Sequence, residues 1–191
     1  MNSTKVRGLS TLFLVVVAIL ATVRFFPRAA TETDSELPTV AMPESEYYQL
    51  VPGSVYDGDT LRVTNGTQEI KIRFCGIDAP EKEQAMGIES RDHLRSLIDQ
   101  GDGSLVILPV EIDRYGRTVA EVFVPLADTE EEIHLTSQMV LDGYAYHYER
   151  YSRSCPNGHL LAGAEEQARS RSEGVWANPN AVKPWDYRQN Q

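Results

Sequence analysis

The sequence predicts an α+β domain in which about five short strands form a small closed β-barrel, with three α-helices interposed. Two observations predict it. Short β-rich runs with alternating polarity and turn signals between them recur from Tyr47 to Val124. Three further stretches place apolar residues at helical spacing and end at a glycine.

The strands come in order. From Tyr47 the pattern is extended, with a turn at Pro52-Gly53. Residues 60–63 alternate, Asn65-Gly66 is a hairpin turn, and residues 68–74 alternate again. Residues 105–108 and 118–124 complete the set. The first helix, 87–98, brings Ile88, Leu94, Leu97 and Ile98 near one face, and Gly101 ends it. The second runs over 134–141 and closes at Gly143. The third, 158–172, turns Leu161, Ala164 and Ala168 inward and Glu165, Glu166, Arg169 and Arg171 outward, and ends at Gly174. Trp176 then reads as a core or capping aromatic.

Ahead of this body lies a hydrophobic signal or anchor helix. Lys5 and Arg7 precede an apolar stretch at 9–23, the pattern of a secretory signal peptide or a short signal anchor. A span usually needs about 20 apolar residues, and Arg24 can snorkel at the end of this one. A cut after Ala30 places Arg28 where a small residue is wanted, and a cut after Ala21 places Ile19 there, so the uncleaved anchor is favoured. Either way the basic start predicts a body outside the cytoplasm, membrane-anchored, or secreted if the signal is cleaved. A buried core helix fits less well, because no amphipathic partner lies nearby. The chain therefore divides into a signal or anchor at 1–28, an acidic flexible linker with two prolines at 29–45, a folded body at 46–178 and a tail at 179–191.

Charge narrows the function. The formal net charge is -10. Lys5, Arg7, Arg24 and Arg28 are the basic residues up to position 28, where there is no acid, so the remainder holds 14 basic and 28 acidic side chains, a balance of -14. Such a body repels polyanions at long range and argues against a passive nucleic-acid coat. It allows an enzyme that holds phosphate through a metal and a few arginines. The two cysteines, Cys75 and Cys155, are compatible with a disulfide outside the cytoplasm and equally with two separate thiols. His93, His134, His147 and His159 do not form a metal-spaced cluster.

Three clusters carry the chemistry. Asp57-Gly58-Asp59-Thr60 sets two carboxylates around a glycine, although a plain hairpin turn capped by Asp57 explains it as well. Arg73 on a strand is followed by a turn with Asp78, Ala79, Pro80 and Glu81. Asp113, Tyr115, Gly116 and Arg117 form a turn that either exposes charges or delivers Arg117 to a phosphate. Phosphodiester hydrolysis builds negative charge on the equatorial oxygens of its transition state. Guanidinium groups meet those oxygens with paired donors in a fixed plane. A hard divalent ion on carboxylates neutralises more charge. A further carboxylate can take or orient a proton of the attacking water.

In order and separation these clusters resemble the signature of the staphylococcal nuclease, or thermonuclease, family. The likeness covers residues 47–177, including the passage at Asp142-Gly143-Tyr144-Ala145 and the final helix with Gly174-Val175-Trp176. Each motif is weak alone and the ordered set is strong. The resemblance implies a five-stranded OB-type barrel with three helices. It implies Ca²⁺ held by Asp59, Asp78 and the backbone carbonyl of Ala79. It implies Arg73 and Arg117 as phosphate ligands, Glu81 as general base or water-positioning group, and Tyr115 against the substrate. The implied enzyme is a Ca²⁺-dependent phosphodiesterase, an endonuclease that cleaves single-stranded or frayed DNA and RNA by water attack and leaves 3′-phosphate ends. No obligate protein partner is implied, and a monomer is expected. A degenerate module that binds nucleic acid or protein without cleavage would have lost carboxylates or arginines, and none is lost here. A generic OB-fold binder of oligosaccharide or protein leaves the site residues as coincidence. The acidic body departs from the basic type member of the family, and Tyr144, Tyr146, Tyr148 and Tyr151 are further candidates to pack against bases or against the barrel.

Overall fold

The computed structural model describes residues 46–127 and 129–191. The expected N-terminal helix at 1–28 and linker at 29–45 lie outside the described residues. Among the described residues no helix is long and apolar enough to cross a membrane.

The strands are β1 (Glu46–Leu50), β2 (Thr60–Thr64), β3 (Glu69–Phe74), β4 (Ile77–Asp78), β5 (Ser104–Ile112), β6 (Thr118–Pro125), β7 (Glu132–His134) and β8 (Tyr146–His147). The helices are α1 (Gly87–Ile98), α2 (Leu135–Leu141), α3 (Glu149–Ser152), α4 (Leu161–Arg171) and α5 (Pro184–Gln189). The fold is α+β, with a six-stranded sheet in the order β3-β2-β1-β5-β6-β7. In addition β3 pairs in parallel with β6, so the ladder runs in a circuit through five strands and β7 continues from β6. A separate two-stranded pair joins β4 to β8.

Alternation along the strands separates core from site. On β3, Ile72 and Phe74 are fully buried, while Lys71 and Arg73 point to the opposite face. Leu61 and Val63 of β2, Ile107 of β5 and Val122 and Val124 of β6 fill the same core. Leu94 and Ile98 of α1, Leu135 and Met139 of α2 and Leu161 of α4 close over it. Each such side chain contributes roughly 1.5–3 kcal/mol through burial.

The structure extends the expected elements where the sequence pattern is too short to read. The strands β4, β7 and β8 have two or three residues each, and α3 has four, so no period is visible. Strand β5 runs past Pro109, with a register shift between Pro109 and Glu111. Proline lacks an N–H for the ladder, and the bulge absorbs the defect. The helix expected over 158–172 begins as a 3₁₀ turn, Gly158–Leu160, before α4. The tail after 178 contains α5, marked by Pro184 in its first turn. Of the two readings of the cysteines, the bridged one is observed. Cys75 and Cys155, 80 residues apart in sequence, form a disulfide with their Cα atoms 5.9 Å apart.

Candidate active site

The Asp57-Gly58-Asp59 turn enters β2 and serves two purposes. Asp57 caps it, since its Oδ1 accepts the Asp59 N–H at 3.0 Å. Asp59 faces inward, where its Oδ1 accepts the Thr60 hydroxyl at 3.0 Å and its Oδ2 accepts the Ala79 N–H at 2.6 Å. Gly58 is required by packing. A Cβ there would stand 1.8 Å from the Ser90 hydroxyl oxygen of α1 and 2.8 Å from the Ala79 Cβ. Turn, β4 and α1 are thus held in close contact.

Arg73 leaves β3 on the face opposite the core. Its Nη1 lies 3.1 Å from Asp59 Oδ2 and donates to the Phe74 carbonyl at 3.0 Å, while its Nη2 donates to Asp78 Oδ1 at 2.7 Å. Asp78 belongs to β4 and is fully buried, and Asp59 is 4% exposed. Glu81 follows in the turn before α1. Its N–H donates to Gln84 Oε1 at 2.8 Å, and Gly87 lets the α1 start approach its carbonyl, where a Cβ would come within 2.0 Å.

Arg117 arrives from the turn between β5 and β6. Asp113 organises that turn: its Oδ1 accepts the N–H groups of Tyr115 and Arg117, both at 2.9 Å, and its Oδ2 accepts Arg117 Nε at 2.7 Å. Burial alone would raise the Asp113 pKa, but these bonds hold it below the usual carboxylate range. With Nε committed, the two Nη groups of Arg117 remain without an internal partner among the described residues. The parallel pairing of β3 with β6, Arg73 opposite Val119, brings this turn to the Arg73 side of the sheet.

All seven side chains or residues singled out from sequence, Asp59, Arg73, Asp78, Ala79, Glu81, Tyr115 and Arg117, line one cleft of about 960 Å³. Tyr115 is exposed on its rim, with Arg114 and Arg117 over its ring at 4.8 and 5.4 Å. The other candidate tyrosines divide. Tyr146 is buried, Tyr144 stacks on His93 at 3.9 Å, and Tyr148 and Tyr151 line the cleft. Lys71 also lines it and sits over the Tyr56 ring at 4.9 Å.

The last helix brings to the cleft two residues that were not singled out from sequence. Arg188 of α5 donates from Nη2 to Asp78 Oδ2 at 2.7 Å, and from Nη1 to Asp78 Oδ1 at 3.2 Å and Glu81 Oε1 at 2.7 Å. Trp185 of the same helix stacks on Tyr148 at 4.8 Å. The available signal was the run Pro184-Trp185 after Lys183, a helix start with an aromatic anchor inside what reads as a tail.

Carboxylates dominate the electrostatics. Burial, with the charge of Asp59 next, pushes the Asp57 pKa up to about 7. Burial also raises that of Asp78, against the Arg188 hydrogen bonds. For Arg188 burial opposes the charge, but the bonds to Asp78 and Glu81 outweigh it and raise its pKa. Among the described residues no three His, Cys, Asp or Glu side chains gather in a metal-holding group. Two buried carboxylates that attract guanidinium groups from both sides are hard oxygen donors for a cation. With backbone oxygen and water added, they fit an ion such as Ca²⁺, which accepts such mixed shells, and do not fit Zn²⁺.

Residues 71–178 match the family described as Staphylococcal nuclease homologue. The chain belongs to the staphylococcal nuclease family. Among its relatives is the Micrococcal nuclease of Shigella flexneri, 36% identical over 137 residues, which cover 70% of this chain and 76% of that protein. An Uncharacterized endonuclease of Escherichia coli O157:H7 is 32% identical over 134 residues, 70% of this chain and 80% of the relative. A protein of the same description from Haemophilus influenzae is 34% identical over 138 residues, 72% and 71% of the two chains. The staphylococcal nuclease match holds six of the seven residues above. Asp59 precedes it and Arg188 lies beyond it. Membership makes the protein a nuclease of the endonuclease, phosphodiester-hydrolysing class, with nucleic acid as substrate.

Proposed function

We propose that this protein is an exported, Ca²⁺-dependent nuclease that cleaves DNA, and RNA as a second substrate, by water attack to leave 3′-phosphate ends. The observation that carries the reading is the convergence of Arg73, Arg117 and Glu81 on a cleft floored by the buried pair Asp59 and Asp78.

Asp59, Asp78 and the Ala79 carbonyl would hold Ca²⁺, which supplies positive charge next to the scissile phosphate. The rest is done by this chain's own residues. Arg117 offers to the phosphate oxygens two Nη groups that have no partner among the described residues, and Arg73 meets them from the β3 side. Their fixed positions favour the transition state, in which charge on those oxygens is greatest. Glu81 takes a proton from the attacking water or orients it. Tyr115, exposed on the rim, supplies a face on which a base can stack.

The circuit of five paired strands supports an OB-type barrel as the scaffold. A disulfide supports an oxidising compartment, in keeping with export and with a membrane anchor at the N-terminus. The working unit is a monomer.

The test is digestion of labelled single-stranded and double-stranded DNA and RNA with and without Ca²⁺, followed by end-group analysis. Ca²⁺-dependent cleavage with 3′-phosphate products is expected. Cleavage that survives chelation would overturn the metal assignment, and 5′-phosphate products would overturn the direction of attack.

A further inference from the structure

We propose that α5 is a self-inhibitory plug whose Arg188 occupies the cation position of the active site and is expelled when Ca²⁺ binds. The inference rests on the reading of Asp78 as a metal ligand and Glu81 as the proton-handling group.

Arg188 grips both oxygens of Asp78 with its two Nη atoms and shares one of them with Glu81. A guanidinium on both oxygens of a carboxylate competes directly with a divalent ion for them, and its own positive charge repels that ion. The bond to Glu81 occupies the carboxylate oxygen that would otherwise meet the attacking water. One side chain thus obstructs two steps.

The alternative is that Arg188 is a third phosphate ligand. The geometry disfavours it. Arg117 commits only Nε to Asp113 and leaves both Nη groups available among the described residues, and Arg73 takes one oxygen from each of Asp59 and Asp78, whereas Arg188 spans both oxygens of Asp78 and also holds Glu81. Its posture is that of a counter-cation.

The helix that carries it is short and held by few contacts. Trp185 stacks on Tyr148, Lys183 lies over the Tyr146 and Trp176 rings at 3.6 and 3.8 Å, and Gln84 donates to the Val182 carbonyl at 3.1 Å. Pro184 is buried and Trp185 also meets Tyr146 edge-on at 5.9 Å, and the site carboxylates add the ionic part of the grip on α5. Coupling between two ligands of one site is reciprocal, so a plug that weakens Ca²⁺ binding must itself be loosened by Ca²⁺.

Calorimetric titration of Ca²⁺ into the wild-type chain and into Arg188→Ala and Arg188→Met variants tests this. The variants are expected to bind Ca²⁺ about ten-fold or more tightly, the scale of one charge-assisted hydrogen bond. The methionine variant keeps the apolar stem, so it reports on charge if the alanine variant fails to fold. In the wild type, Ca²⁺ is expected to change the fluorescence of Trp185 as its stack on Tyr148 opens, and a Trp185→Phe variant identifies that signal. Unchanged or weaker Ca²⁺ binding in the folded variants, or a Trp185 signal indifferent to Ca²⁺, overturns the plug. If cleavage is still Ca²⁺-dependent, such a result leaves the proposed function standing. Absence of Ca²⁺ binding in every form overturns both.

Discussion

Asp59 and Asp57 stand two residues apart in one turn, and the structure gives them different work. Asp57 accepts a backbone N–H and shapes the turn, while Asp59 accepts the Ala79 N–H and faces Arg73. Sequence could not separate these roles, because an Asp-Gly-Asp run suits both. Among the three arginines, Arg117 alone keeps both Nη groups without a partner among the described residues, while Arg73 and Arg188 spend theirs on carboxylates. Arg117→Ala should lower kcat by about 10²–10³-fold, the range for loss of one preorganised transition-state donor, with a smaller effect on KM. Steady-state cleavage of a short labelled oligonucleotide measures both. Equal loss in the Arg117→Lys variant is expected, since an ammonium cannot present two coplanar donors.

The elements are tuned by close contact. Gly58 lets the Asp57–Asp59 turn touch Ser90 of α1, which in turn donates to the Tyr144 carbonyl at 2.6 Å. Gly58→Ala must push α1 outward, at a cost of about 1–3 kcal/mol, to be read as a lower urea midpoint together with reduced activity. The approach to α5 contains a different device. Lys183 is packed against Tyr146 and Trp176, and burial is the main reason its pKa falls to about 8. In the unfolded chain the amine keeps its usual pKa near 10.5. Between these values the unfolded state holds more protons, so stability contributed at this position rises with pH. Burial pushes the Tyr146 hydroxyl to about 12, outside that window. The melting temperature of the wild type, compared with a Lys183→Met variant, should therefore rise between pH 8 and pH 10. A constant difference would refute the assignment.

For the molecule as a whole, the disulfide and the charge set the limits. The Cys75–Cys155 bond closes a long loop, 80 residues in sequence separation, between the end of β3 and the segment ahead of α4. Loop-closure entropy gives a contribution of about 4 kcal/mol, so reduction or a Cys75→Ser/Cys155→Ser double variant should lower the urea midpoint markedly without changing the far-ultraviolet spectrum at low temperature. The balance of -14 over residues 29–191 gathers no substrate from a distance, and binding depends on the few cations of the cleft. With Lys71, Arg73 and Arg117 as the phosphate contacts, the logarithm of affinity for single-stranded DNA should fall against the logarithm of salt with a slope of about -2. A steep slope would place the binding surface elsewhere.

Local pattern was enough for the long strands and the three main helices, and the seven residues of the cleft were reached through the resemblance that the ordered motifs carry. Alternation, glycine stops and ordered motifs each act over a few neighbouring residues, and that is the range over which sequence is legible. Asp59, Asp78, Arg73 and Arg117 each lie in a short turn or strand motif that is weak alone, and their order along the chain made the set readable. Three outcomes depended on distance through space. The pairing of Cys75 with Cys155 required two remote segments to meet. The parallel contact of β3 with β6 required a register that no local pattern encodes. Arg188 reaches Asp78 and Glu81 across more than a hundred residues of chain, through a short helix that reads as a tail until its aromatic anchor is seen in place. The candidate site was written in ordered motifs of neighbouring residues, whereas the proposed control by Arg188 rests on a contact that exists only once the chain has closed on itself.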